Sequence, residues 1–258
     1  MDDAFYLPLG EGRFASTKHT IGPWSADSQH MGPPAALLAR ALQQCAPRED
    51  LELARITVEI LGPVPIAELE VRAEVLRPGR AVELLGAELL ADGRPVARAS
   101  AWRIARTDTT GIAVPTARAL VPLSESVQVH PPEGWIDGYL SAMEWFAVRG
   151  DWVQPGAAAA WARQRVALVE GEEPSGLQRL MAVADSGNGL SNRLDIREWM
   201  FINTELTVHL LREPDGEWIG LDAETAIGPT GLGIASSVLH DRAGMVARGA
   251  QELLIRPR

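Results

Sequence analysis

The stretch Arg55-Ile56-Thr57-Val58-Glu59-Ile60-Leu61 returns later in the chain as Glu205-Leu206-Thr207-Val208-His209-Leu210-Leu211, and Val96-Ala97-Arg98 returns as Val246-Ala247-Arg248. A single offset of 150 relates both pairs and carries Arg55–Arg106 onto Glu205–Arg256 without a gap. Ala73/Ala223, Glu74/Glu224, Leu89/Leu239 and Arg106/Arg256 fall on the same register. Strand-rich segments share composition, so scattered matches alone would mean little. A register with no insertion over four successive strands points to internal duplication.

Each copy reads as an antiparallel meander. Segments 53–61, 66–77, 80–91 and 95–106 are separated by Gly62-Pro63, Pro78-Gly79 and Asp92-Gly93. Segments 203–211, 217–227, 231–240 and 245–256 are separated by Pro214-Asp215-Gly216, Gly228-Pro229 and Ala243-Gly244. These are turn residues between runs of strand formers. A helix precedes each meander. Pro33 and Pro34 after Gly32 suit a first helical turn, where a missing N–H costs nothing, and Ala35, Leu38, Leu42 and Cys45 recur as one apolar stripe. Pro174-Ser175-Gly176 leads into Leu177, Leu180, Met181 and Ala184 in the same way. The first strand of each unit is expected within Phe14–Trp24 and Trp152–Val169. Between the copies, 108–134 carries Pro115, Pro122, Pro131 and Pro132 without helical periodicity and reads as a linker or partly ordered crossover. The division expected is therefore 1–107, linker 108–134 and 135–258, an α+β chain of two units, each a long helix wrapped by an antiparallel sheet.

Composition limits the function classes. Of 258 residues, 46% are hydrophobic and 22% charged, values of an ordinary globular protein. The formal net charge of −10 argues against nucleic acid, whose phosphates require basic patches. No apolar run approaches the roughly 20 residues needed to span a bilayer, so no membrane association is expected. Met1-Asp2-Asp3-Ala4-Phe5-Tyr6 shows no secretory signal, and a single cysteine, Cys45, cannot form an intrachain disulfide. A reducing cytoplasm is the expected setting. Cys45 falls on the helical stripe and reads as a small buried hydrophobe rather than a nucleophile. The tryptophans read as core and interface aromatics rather than a binding box.

Several separated segments carry a family likeness: Gly22-Pro23-Trp24 through Gln29-His30-Met31-Gly32-Pro33-Pro34-Ala35-Ala36-Leu37-Leu38, Ala184-Asp185-Ser186-Gly187-Asn188-Gly189, Phe201-Ile202-Asn203-Thr204-Glu205-Leu206-Thr207-Val208, and Gly249-Ala250-Gln251-Glu252. In that order they resemble the acyl-CoA thioesterase II-like family, with nearly the whole chain covered. The resemblance implies a tandem double hotdog and hydrolysis of acyl-CoA thioesters to a free acid and CoA, a reaction of lipid metabolism. It implies a water-activating Asp, Thr and Gln, all in the second unit. Asp maps to Asp185 and Gln to Gln251. The Thr position carries Asn203 on the repeat register, with Thr204 beside it, and either could hold a water.

The residues also have readings of their own. Asp185, eight residues after Leu177, would sit at the edge of the buried stripe of a continuing helix, partly desolvated and so more basic; alternatively it ends the helix in the Ser186-Gly187-Asn188-Gly189 turn. Gln251 has Ala101 as its repeat counterpart, and Asp185 has Ala41 when Gly176 is matched to Gly32. Only the second unit keeps the polar set, which predicts one site per chain. An oxyanion donor is expected at the N-terminus of the first helix, around Gly32, with His30 either binding ligand or packing. The expected ligand is an acyl-CoA or acyl-carrier thioester, with CoA as part of the substrate and no cofactor or metal. Exposed sheet edges would favour a homo-oligomer. A hydratase or dehydratase on the same fold, and a non-catalytic acyl-thioester-binding module, remain open at this stage.

Overall fold

A computed structural model describes residues 3–114, 117–130, 137–150 and 152–258. Expectations resting on Met1, Asp2, Pro115, Pro131, Pro132, Trp135 and the 134/135 boundary lie outside the described residues. Fifteen strands form among the described residues: β1 (Ala4–Gly10), β2 (Arg13–Ser16), β3 (Leu51–Ile60), β4 (Glu68–Arg77), β5 (Val82–Ala91), β6 (Arg94–Ala105), β7 (Val127–Val129), β8 (Met143–Arg149), β9 (Ala158–Gln164), β10 (Ala167–Val169), β11 (Trp199–Asn203), β12 (Glu205–Leu210), β13 (Ile219–Ile227), β14 (Leu232–Asp241) and β15 (Gly244–Pro257). The helices are α1 (Gly32–Gln44), α2 (Tyr139–Ala142), α3 (Gly176–Ala184) and α4 (Gly187–Leu190).

The strands join one continuous sheet whose order is symmetric about its middle. From the centre outward, one arm runs β3-β6-β5-β4-β2-β1 and the other β12-β15-β14-β13-β9-β8. Strands β5 and β14 keep the 150-residue offset at both ends. The arms meet where β3 pairs with β12 in antiparallel register, Thr57 opposite Thr207 and Val58 opposite Leu206. Thr57 and Thr207, aligned by the internal repeat, thus face each other on a local twofold axis. There the Thr207 hydroxyl donates to that of Thr57 at 3.1 Å. The α+β double hotdog is the architecture observed, with one long helix against each arm.

The helices are more deeply enclosed than a single stripe implies. In α1 the consecutive residues Ala35 to Ala39 are all buried, because one side packs on the sheet and the other on α3. The two helices run antiparallel. Gly32 at the start of α1 lies against Ala182 near the end of α3. At the opposite end Gln43 accepts hydrogen bonds from the Ser175 hydroxyl at 3.0 Å and the Gln178 amide at 2.9 Å. Cys45 is half-buried at the C-cap of α1 rather than inside it. Its carbonyl and that of Ala46 accept from Arg103, whose buried ion pair with Glu83 puts a cation at the negative end of the helix dipole.

Three edge features depart from the sequence expectation. Strand β1 precedes the expected first strand, of which only residues 14–16 lie in a strand (β2), and pairs in parallel with β10 from the second half. The segment 108–134 holds two short 3-10 turns and β7, which adds to β8, so the second arm begins inside the expected linker. Short pieces of this kind suit a proline-punctuated segment with few donors to give. No helix among the described residues is long and apolar enough to cross a membrane.

The contact between the helices sets a testable constraint. A Cβ on Gly32 would lie 2.3 Å from the Ala182 carbonyl oxygen, so Gly32→Ala must push the helices apart. Denaturant unfolding should show Gly32→Ala destabilised by about 2 kcal/mol or more. Gly62→Ala, where a Cβ meets nothing within 4 Å, should stay within about 0.5 kcal/mol of wild type.

Candidate active site

Helix α3 does not continue through Asp185. It ends at Ala184, and Asp185 is its C-cap, with Ser186 leading into α4. The antiparallel helix pair sets this C-cap directly against the first turn of α1. The Asp185 carboxylate accepts the backbone N–H of Met31, and its Oδ2 lies 3.3 Å from His30 Nδ1. Asp185 thus ends the helix, one of the two readings expected of it, and its carboxylate is buried against α1.

Strands supply the other side of the carboxylate. Asn203 Nδ2 donates to Oδ1 at 2.8 Å, and Gln251 Nε2 donates to Oδ1 at 3.3 Å and to the Asp185 carbonyl at 3.0 Å. The Gln251 carbonyl is fixed in turn by the N–H of Asn188 at 3.0 Å. Gly187 leaves the room this needs, since a Cβ there would meet that oxygen at 2.9 Å.

A β-bulge chooses Asn203 over Thr204. Asn203 pairs with Leu253 but Thr207 with Ala250, one extra residue on the β11–β12 side, so the inward positions change from Phe201 and Asn203 to Leu206 and Val208. Thr204 is turned outward, its hydroxyl reaching the Glu252 carbonyl at 3.4 Å. The same slip occurs in the first half between Leu53 and Arg55, so the bulge belongs to both copies. Asp185, Asn203 and Gln251 therefore converge; Thr204 lies at the rim.

The carboxylate forms the floor of a cavity of about 760 Å³ between the halves. The first half contributes Trp24, His30, Met31 and Val64, the second Leu140, Trp152, Leu194, Ile196 and Phe201. Trp24 and Trp152 pack against the core, as the sequence reading expected, and also line this cavity. Trp24 packs edge-on to Phe201, with ring centres 5.0 Å apart. No cluster of three or more His, Cys, Asp or Glu able to hold a metal occurs among the described residues.

Donors at the start of α1 are all accounted for, which corrects the expectation placed on Gly32. Its N–H donates to His30 Nδ1 at 3.0 Å, Pro33 and Pro34 have none, and the N–H of Met31 serves Asp185. His30 is held further by a flat stack on Tyr139, with centroids 3.8 Å apart and planes 11° from parallel. Tyr139, which the sequence reading did not single out, is anchored through its hydroxyl to the Ala182 carbonyl at 2.8 Å and Ser186 Oγ at 2.9 Å. Nothing local marks Tyr139 in the sequence; its role depends on the fold bringing α2 against α3.

Protonation follows from this packing. Burial lowers the His30 pKa to about 3, so the imidazole is neutral. Because Nδ1 accepts from Gly32, the ring proton is on Nε2. Burial also raises Asp185 to about 6, against the opposing hydrogen bonds of Asn203, Gln251 and Met31. With Nδ1 a lone pair, an ionised Oδ2 faces it without a proton between them, while a protonated Oδ2 can donate to it. Asp185, 4% exposed, therefore binds its proton more tightly folded than unfolded. Its favourable contribution is complete below its unfolded value and is lost as pH rises through about 6. Asp185→Asn mimics the protonated acid, its amide NH₂ facing Nδ1. Urea denaturation should find the variant more stable than wild type at pH 8, by up to about 3 kcal/mol, with the gain vanishing near pH 4.

Comparison with known proteins agrees with this architecture. A solved hotdog-fold protein of unknown function from Alicyclobacillus acidocaldarius superposes with a TM-score of 0.76 at 17% identity, covering 99% of this chain and 97% of its own. The acyl-CoA thioesterase II TesB2 of Mycobacterium marinum superposes at 0.65 with 13% identity, covering 98% and 95%. The tesB protein of Mycobacterium avium subsp. paratuberculosis gives 0.67 at 14%, covering 98% and 96%. At these identities the likeness shows the fold. No curated protein matches the sequence. Residues 20–104 match the acyl-CoA thioesterase N-terminal domain and residues 122–255 the acyl-CoA thioesterase C-terminal domain, so the chain belongs to the acyl-CoA thioesterase family.

Proposed function

We propose that the protein hydrolyses acyl-CoA thioesters with a water activated by Asp185, whose carboxylate Asn203 and Gln251 hold in place. The observation that carries this reading is the convergence of three polar side chains from a helix end and two strands: Asp185 and Asn203 line an apolar cavity, and Gln251 bonds the Asp185 carboxylate. Burial makes the Asp185 carboxylate a better base than an exposed one, with a pKa of about 6 near the range where a general base works best at neutral pH. Asn203 and Gln251 orient it through Oδ1. The ionised carboxylate takes a proton from water as the water oxygen bonds to the thioester carbon. Collapse of the tetrahedral intermediate breaks the C–S bond, and the proton passes from Asp185 to the leaving sulfur, giving the acid and CoA thiol. No covalent acyl-enzyme is needed: Ser186 is bonded to Tyr139, and Cys45 lies at the far end of α1, on the order of 20 Å away along the helix.

Dehydration on this fold would use an imidazole as the base for an α-proton. Gly32's N–H on Nδ1 leaves the protonated nitrogen, Nε2, as the free one, which favours hydrolysis.

Steady-state assays with a panel of acyl-CoAs should show Asp185→Ala reduced at least ~10³-fold in kcat, and Gln251→Ala and Asn203→Ala reduced about 10- to 100-fold. Thr204→Ala should remain near wild type; a large loss there with Asn203→Ala intact would reverse the assignment. The wild-type kcat/KM should rise with pH through about 6 and then level off, since the ionised carboxylate is the working form. Mass spectrometry of products from 3-hydroxyacyl-CoA separates hydrolysis from dehydration.

A further inference from the structure

The thioester oxygen needs a hydrogen-bond donor as it becomes an oxyanion, and the usual supplier, a helix N-terminus, is closed here. At the start of α1 the N–H of Gly32 is spent on His30, that of Met31 on Asp185, and that of His30 on the Thr20 carbonyl at 2.8 Å, while Pro33 and Pro34 have none. The side chains around Asp185 are spent as well. Both amide hydrogens of Asn203 are used, on Asp185 and on the Glu205 carbonyl at 3.4 Å, and both of Gln251 go to Asp185. Among the residues that contact the carboxylate, the uncommitted donor is Nε2–H of His30, whose ring lines the cavity.

We infer that His30 acts as a neutral imidazole that donates Nε2–H to the thioester carbonyl oxygen, and that Tyr139 and Gly32 are the positioning groups that hold it in this tautomer and orientation. The inference rests on the hydrolytic reading above and adds a role to it. Three contacts fix the ring: the stack on Tyr139, the Gly32 N–H on Nδ1, and Asp185 Oδ2 at 3.3 Å. With Nδ1 so occupied, the ring presents a donor to the cavity and keeps it there when Asp185 gains or loses its proton. A neutral imidazole suits the task. It stabilises negative charge on oxygen without a second buried ion, and it does not surrender its proton to the intermediate. His30 also joins the two halves functionally: the base comes from the second copy, the electrophile from the first.

The test combines kinetics with nitrogen NMR. In the full-length protein labelled with ¹⁵N-histidine, His30 should show a protonated Nε2 and an unprotonated Nδ1 between pH 5 and pH 8. A ketone analogue of the acyl-CoA, with methylene in place of sulfur, should shift the Nε2–H proton downfield. His30→Ala should lose about 10²- to 10³-fold in kcat with KM within about threefold. His30→Gln, which keeps a donor, should recover part of that loss. Tyr139→Phe, which keeps the stack but loses the hydroxyl anchor, should fall about 3- to 10-fold. A His30 that is protonated on Nδ1, an Nε2–H unmoved by the ketone, or a folded His30→Ala with kcat within about threefold of wild type would each overturn the assignment. Absence of any turnover by wild type would instead sink the hydrolytic reading, and the NMR arm would still decide whether Nε2–H engages a carbonyl oxygen.

Discussion

The antiparallel contact between α1 and α3, closed at Gly32 against the Ala182 carbonyl, is the constraint from which the candidate site follows. A helix C-cap and a helix first turn rarely share one volume unless a small residue lets the backbones approach. Here the approach places the Asp185 carboxylate on the N–H of Met31 and beside His30, so a residue from each copy builds one site. The remaining polar groups are consequences of the sheet. The bulge between Asn203 and Leu206 turns an amide inward, and β15 carries Gln251 past the end of α3.

Duplication supplied the frame, and the candidate site lies where the two copies differ. Asp185, Asn203 and Gln251 stand where the first half has Ala41, Leu53 and Ala101. The first half carries a different buried polar feature, Glu83 and Arg103, whose repeat counterparts are Gly233 and Leu253. That ion pair closes the end of α1 by serving the carbonyls of Cys45 and Ala46. The second half leaves the end of α3 to a carboxylate facing a cavity. One helix end is thus sealed by charge pairing and the other faces the cavity.

Burying Asp185 has an energetic cost that the hydrogen bonds of Asn203, Gln251 and Met31 only partly offset, because the raised pKa shows desolvation still dominant. The cost has a use. A carboxylate solvated by water would be a weak base, and one fully satisfied by donors would be weaker still. His30 sharpens the balance by presenting a lone pair to Oδ2, leaving the ionised acid without a donor on that side.

The sequence by itself determined the repeat, the four-strand meander of each copy and the two helices, because a gapless register and turn residues at matching places are local properties of the chain. It also marked Asp185 and Gln251, since both stand opposite alanines across the repeat. It left Asn203 and Thr204 open, because adjacent strand residues face opposite sides and a bulge that changes the alternation depends on pairing with β15. It placed the oxyanion donor at Gly32, where the tertiary structure finds the N–H already consumed by His30. Tyr139, Trp24 and Trp152 gained their places only when distant segments met around the cavity. Which groups share a proton, and which donors remain free, depends on distances between elements far apart in the chain, and those distances exist only in the folded molecule.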